Sequence, residues 1–162
     1  LMTFHPATNS NELISDIMDK SIKYILDNGY DLLITYPNND NGSEDILNVI
    51  EHWSSNSKIF ISKNLGAKAY YSALNDCKFV VGNSSSGIIE APYFNKIVLN
   101  IGSRQDGRDK DCLVKDVDHS TLLGAIQDGI NNNWKGGKCN EIYGNGNSSQ
   151  KIIEVIKKYF QC

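Results

Sequence analysis

The sequence is short of the features that announce several large classes of protein. No run approaches the about 20 consecutive apolar residues that span a bilayer, and no basic-then-apolar leader opens the chain. Membrane insertion and secretion are therefore not expected, and a cytoplasmic location is. Lys and Arg number 16 against 19 Asp and Glu, for a net charge of -3. The basic residues are scattered rather than gathered in a stripe, so nucleic acid is not an expected partner. The four cysteines, Cys77, Cys112, Cys139 and Cys162, form no CxxC pair, and His5, His52 and His119 lie far apart. Metal sites need clustered ligands, so neither a metal nor another cofactor is expected, and the cysteines read as reduced thiols. Absent too are the GxxxxGK[ST] phosphate loop and a GxGxxG fingerprint after the first strand.

What is present is ordinary for one globular domain: 162 residues, 40% hydrophobic and 22% charged. The chain opens at once on an apolar strand, with Leu rather than Met at position 1, so we expect it to be part of a longer protein. Short apolar runs then alternate with helical patterns. Strands are predicted over residues 2–5, 32–36, 58–61, 79–81 and 97–100, with a weaker one over 112–115. Their near-continuous apolar character suits strands buried on both faces of a parallel sheet. Helices are predicted from a cap at Asn9 or Ser10 to residue 28, then over 43–53, 67–77, 86–94, 119–133 and 148–160. In the first, Leu13, Ile17, Ile22, Ile25 and Leu26 make the apolar stripe and Gly29 the stop. Residues 134–147, rich in Gly and Asn, read as a loop. This alternation predicts an α/β fold, a doubly wound, Rossmann-like parallel sheet with right-handed crossovers, as a single domain over 1–162. Ligands of such sheets sit beyond the C-terminal edges of the strands, which picks out the loops starting at His5, Pro37, Ser62, Gly82 and Ile101.

The strongest local signal is Gly82-Asn83-Ser84-Ser85-Ser86-Gly87, between a strand and a helix. Small side chains expose the backbone, while hydroxyls and a helix N-terminus supply donors suited to a diphosphate. A serine-capped helix with no ligand accounts for the same residues equally well. Glu90, four residues after Ser86, is placed to face the same crevice. A carboxylate there repels phosphate but accepts from ribose hydroxyls, whereas a solvated glutamate is the plain alternative. Arg104 and Arg108 sit in a glycine-containing loop at the next strand's edge, able to bring cationic forks to phosphate or sugar. His5-Pro6 ends the first strand at that edge, although a lone histidine is more often structural. Residues 37–43 form a polar turn before a helix cap.

Taken together, FHPAT at 4–8, TYPNNDNGS at 35–43, GNSSSGIIEAP at 82–92 and NIGSRQDGR at 100–108 resemble the UDP-N-acetylglucosamine 2-epimerases, most nearly the hydrolysing kind of sialic-acid synthesis. YGNGNSSQKI at 143–152 is similar to that family's close, so the likeness runs through the whole chain in order. It implies the C-terminal half of a glycosyltransferase-B-like fold, with UDP and UDP-N-acetylglucosamine bound in the cleft between two halves. The N-terminal half of the same protein is an implied partner, and a homodimer a further one. Motif by motif, it implies His5 at the diphosphate or sugar side, with a catalytic part, and Asn38 lining the nucleotide site. It places the Leu65 backbone at the uracil, Ser84, Ser85, Ser86 and Gly87 at the diphosphate, Glu90 at the ribose hydroxyls and Arg104 at phosphate or sugar. Asn41 and Asn95-Lys96-Ile97 depart from the family pattern, but only in loops.

The chemistry so implied is proton abstraction at C2 and anti elimination of UDP to a 2-acetamidoglucal. Addition of water then gives N-acetylmannosamine, or re-addition of UDP gives UDP-N-acetylmannosamine. The acid and base carboxylates belong to the N-terminal half, so this chain alone is expected to grip UDP without turning substrate over. Two other readings stay open: a non-catalytic UDP-sugar-binding module, and the donor-binding domain of a glycosyltransferase of the same architecture.

Overall fold

The computed structural model describes residues 1–7, 13–133 and 140–160. Its strands are β1 (Met2–Thr3), β2 (Leu32–Thr35), β3 (Ile59–Ser62), β4 (Val80–Gly82), β5 (Val98–Ile101) and β6 (Val114–Val117). They form one parallel sheet in the order β3-β2-β1-β4-β5-β6, with Met2 opposite Ile34 on one side and Val81 on the other. The expected doubly wound sheet is therefore present, and its strand order reverses between β1 and β4. β1 is shorter than predicted because the chain leaves the ladder after Thr3, and His5 takes a side chain as its hydrogen-bond partner instead. β6 starts two residues later than predicted. Ahead of it, Asp111 turns the chain by accepting from the backbone N–H of Leu113 at 3.0 Å and of Val114 at 2.9 Å.

The helices are α1 (Ile14–Asp27), α2 (Ser43–Trp53), α3 (Gly66–Asp76), α4 (Ser85–Ile89), α5 (Leu122–Asn131) and α6 (Ser148–Phe160). The Asn9 or Ser10 cap and residues 134–139 of the glycine-rich loop lie outside the described residues, as do Cys139 and Cys162. In α1 the buried face is Ile14, Ile17, Met18, Ser21, Ile22 and Ile25, and Leu13 is 68% exposed rather than part of the stripe. Gly29 stops the helix in a left-handed turn, with the Tyr30 N–H returning to the Ile25 carbonyl at 3.3 Å.

The helix predicted over 86–94 is two pieces. α4 ends at Ile89, and a 3-10 turn over Ala91–Phe94 carries Pro92 within its first residues. Proline has no N–H to continue an α-helical ladder, so the break follows from the sequence. The helix predicted over 119–133 likewise begins as a 3-10 turn, His119–Thr121, capped by Asp118.

Core side chains lie on both faces of the sheet. One cluster gathers Met2, Phe4, Ile34, Val81 and Leu99 with α1, α2 and α5; the other gathers Leu74, Val80, Ile88, Ala91 and Val98 with α3 and α4. At about 1.5–3 kcal/mol for each large side chain, this burial holds the sheet rigid beneath its loops. α6 differs from the other long helices: each of its residues is exposed, including Ile152, Ile153, Val155, Ile156, Tyr159 and Phe160. No helix among the described residues is long and apolar enough to cross a membrane.

Candidate functional site

Where strand order reverses, the connections of neighbouring strands leave toward opposite faces and a crevice opens beyond their C-terminal ends. Here those neighbours are β1 and β4, and the backbones are pressed together. A Cβ on Gly82, whose φ is 139°, would lie 1.9 Å from the Thr3 carbonyl oxygen. Only glycine fits.

Asn83 follows, fully buried. Its Oδ1 accepts from the His5 backbone N–H at 2.7 Å, and its Nδ2 donates to the His5 carbonyl at 2.8 Å. The Asn83 carbonyl in turn accepts from Arg104 Nη1 at 3.1 Å and Gln105 Nε2 at 2.9 Å. One residue thus ties the ends of β1, β4 and β5. Sequence reasoning passed over both Asn83 and Gln105; an amide beside a tight strand-end glycine, able to donate and accept at once, was the available signal.

The clamp fixes the His5 backbone, and two further contacts hold its ring. Its Nδ1 accepts from the Asn38 backbone N–H at 3.0 Å, and Nε2 stands 3.4 Å from Ser84 Oγ. Burial first, and then the Arg104 charge, lower its pKa to about 4, with Asp40 opposing them. Asn38 reaches this site through its backbone, and its own side chain is exposed. Arg104 is bent inward on Asn83, and desolvation lowers the pKa of its guanidinium. Its fork therefore borders the crevice with one nitrogen already committed.

The serine loop is arranged differently from the expected row of free N–H groups. Ser84 caps α4, accepting from Ser86 N at 3.4 Å, and the Gly87 N–H is spent on the Ser84 carbonyl at 3.1 Å. Gly87 is buried against β5, where a Cβ would meet Val98 Cγ1 at 2.9 Å. Its lack of a side chain permits that close packing. α4 has only five residues, so the aligned peptide dipoles are few. The donors at hand for an anion include the serine hydroxyls and the imidazole as well as backbone N–H groups. Ser84 and Ser86 hydroxyls lie 3.1 Å apart, and Tyr70 OH meets Ser86 Oγ at 2.5 Å, a contact absent from the sequence-derived candidates.

Beside this lies a cavity of about 310 Å³ bounded by Thr35, Lys63, Leu65, Tyr70, Tyr71 and Glu90. Leu65 caps the start of α3 and lines the cavity. Glu90 is half-buried, and desolvation raises its carboxyl pKa. It stands where α4 ends rather than one turn inside a longer helix, yet Glu90 N still bonds Ser86 O at 2.8 Å, which keeps it over the serine loop. The whole can bind a polar ligand in two parts, an anion at the hydroxyls and imidazole, and a hydroxyl-bearing ring against Glu90. Among the described residues no three His, Cys, Asp or Glu side chains converge as metal ligands.

A family model for UDP-N-acetylglucosamine 2-epimerase matches residues 1–157. The chain belongs to this family. The hydrolysing UDP-N,N'-diacetylbacillosamine 2-epimerase of Legionella pneumophila is 30% identical over 159 residues, covering 97% of this chain and 42% of the relative. A hydrolysing GDP/UDP-N,N'-diacetylbacillosamine 2-epimerase of Campylobacter jejuni is 36% identical over 118 residues, 67% of this chain and 29% of its own length. The UDP-N-acetylglucosamine 2-epimerase of Neisseria meningitidis, solved with UDP-N-acetylglucosamine bound, superposes with a TM-score of 0.77 at 17% identity, covering 97% of this chain and 44% of that one. This chain thus spans less than half the length of these relatives, and its six-stranded sheet shares the fold of the solved structure.

Proposed function

We propose that this chain is the UDP-binding, C-terminal domain of a two-domain UDP-N-acetylglucosamine 2-epimerase of the hydrolysing kind. The observation that carries the reading is the convergence of His5, Ser84 and Ser86 at the β1–β4 switch point, one turn from Glu90 and its cavity. In this reading the diphosphate lies on the hydroxyls of Ser84, Ser85 and Ser86 and the imidazole of His5. Arg104 borders it and offsets its charge. Glu90 accepts from the two ribose hydroxyls in the cavity beside the serine loop. Uracil enters the cavity beside the Leu65 backbone, and Asn38 contributes through the bond that orients His5.

The chemistry is proton abstraction at C2 of the sugar, departure of UDP and addition of water, so what this domain must do is hold the leaving group. Carboxylates that move the C2 proton come from the remainder of the protein, and this chain by itself binds without turnover. The relatives' names that specify hydrolysis support the hydrolysing outcome. The test is calorimetric titration with UDP, using UMP and ADP as controls. Saturable binding that prefers UDP is expected; equal binding of ADP would remove the uridine assignment, and no binding to folded protein would remove the site.

A further inference from the structure

His5 is commonly the kind of residue to which a proton-transfer role is given, and the geometry points elsewhere. We propose that His5 serves this site as a neutral hydrogen-bond donor through Nε2–H, held in that tautomer by the backbone N–H of Asn38, and does not carry protons to or from the substrate. The proposal deepens the function above and rests on it only for the identity of the ligand.

The argument begins with what a backbone amide can do. The Asn38 N–H has a proton to give and no lone pair, and it lies 3.0 Å from His5 Nδ1. Nδ1 must therefore present its lone pair, so a neutral ring carries its hydrogen on Nε2. The ring cannot turn over to reverse this cheaply. The residue is 7% exposed, so its neighbours crowd a turning ring, and turning it would give up the Asn38 bond to Nδ1. Nε2 faces Ser84 Oγ at 3.4 Å, longer than a well-made hydrogen bond, so that proton is only loosely committed and is aimed at the serine loop.

Burial first, and then the Arg104 charge, hold the ring neutral. From the loop after β5, the Arg104 guanidinium opposes an imidazolium; from the loop after β2, Asp40 favours one; the serine loop after β4 brings no charge. Burial adds to the Arg104 effect and exceeds that of Asp40, leaving a pKa of about 4. At neutral pH only about one ring in a thousand is then protonated, too few for an efficient acid, while a base this weak takes a proton poorly. A neutral N–H on a buried ring is well suited to another task. It can bind an anionic phosphoryl oxygen beside the serine hydroxyls, and strengthen as negative charge gathers on the departing UDP, with no bond to His5 made or broken. Asn38 is a positioning residue in this scheme, acting through its backbone alone.

The deciding measurement is long-range ¹H–¹⁵N NMR of the imidazole rings, with His5 assigned by its loss in His5→Gln. The expected spectrum shows Nε2 protonated and Nδ1 bare from pH 8 down to pH 5. A protonated Nδ1, or an imidazolium midpoint above pH 6, would overturn the proposal, and this arm needs no ligand. Asn38→Pro deletes the critical N–H and should admit the second tautomer and raise the midpoint, while Asn38→Ala keeps the N–H and should keep Nε2–H. A change with alanine as large as with proline would sink the positioning role; if the proline variant does not fold, the wild-type spectrum and the alanine variant still decide it. For the donor role, calorimetry compares UDP binding by His5→Ala and His5→Gln. The glutamine amide can donate from the Nε2 position but cannot exchange a proton at neutral pH, so it should recover most of an about tenfold loss seen with alanine. Glutamine no better than alanine overturns donation to the ligand. Absence of UDP binding by the wild-type chain would instead strike the proposed function, and the ligand-free spectrum would still decide the state of His5.

Discussion

The two rims of the sheet hold cavities of similar size and opposite character. At the rim where strands begin, a cavity of about 290 Å³ lies among Leu1, Ile25, Leu33, Phe60, Cys77 and Phe79, mostly apolar with Asp31, Asp76 and Lys78 also on its lining. At the rim where strands end, the space beside Glu90 is bordered by Thr35, Lys63, Asn64 and Tyr70, and nearby His5 and Arg104 are tied to the same Asn83. Volume does not separate the two; convergent polar groups with fixed orientation do. An apolar hollow rewards any greasy occupant about equally. A clamp of amides, hydroxyls and an imidazole discriminates, because each group left unpaired is costly. The difference follows from topology: the parallel strands deliver their loops to one rim, and the switch between β1 and β4 opens a gap only there.

The contrast between rims can be broken most forcefully at Gly82. Gly82→Ala places a Cβ 1.9 Å from the Thr3 carbonyl oxygen at a φ of 139°, so β1 and β4 must part. Strain and overlap together should cost ~3 kcal/mol or more, read as a fall in the urea midpoint of unfolding. Asn83→Ala comes next. It leaves the His5 N–H and carbonyl without their amide partners, and a destabilisation of about 2–3 kcal/mol is expected in the same assay.

Glu90→Ala should leave the fold intact and weaken UDP binding by about 1–3 kcal/mol, the usual cost of losing bonds to a charged acceptor. Unchanged calorimetric affinity in the folded variant would remove the ribose role. A subtler distinction is pH. The folded His5 pKa, about 4, lies below the ordinary value of 6.5, so between these limits the unfolded chain binds more protons. His5 therefore contributes stability that is fully present above about pH 6.5 and is lost as pH falls toward 4. Denaturant midpoints should show that slope in the wild type, and a shallower one in His5→Gln. The smallest effect belongs to the other rim. Ala73→Met, at the apolar cavity, should leave UDP affinity within about 0.5 kcal/mol, and a larger change in titration would join the two rims functionally.

Much of the architecture was legible because hydrophobic period and punctuation are local. The run of apolar strands and the helix stops at Gly29 and Pro92 are written in neighbouring residues, although the force of Pro92 in splitting the helix after Glu90 was missed. The serine loop, Glu90 and Arg104 were visible as chemistry at strand ends. Asn83 was not, because its importance is a set of partners 78 and 22 positions away in the chain. Gly87 was read as an anion contact, and its packing against Val98 could not be read from its neighbours in the chain.

The amphipathic helices mark the boundary most clearly. α1 and α6 carry the same kind of apolar spacing, and sequence alone determined that both would be helical and two-faced. Tertiary structure decided that Ile17 and Ile22 of α1 would be buried against the sheet while Ile153 and Ile156 of α6 would stand 51% and 48% exposed. Periodicity specifies that a face exists; only the three-dimensional neighbours supply the surface that covers it, because burial is a property of pairs of elements and not of one. The same reason applies to His5. Its identity was in the sequence, but its tautomer, its depressed pKa and its aim at Ser84 came from three loops that meet only when the sheet has formed.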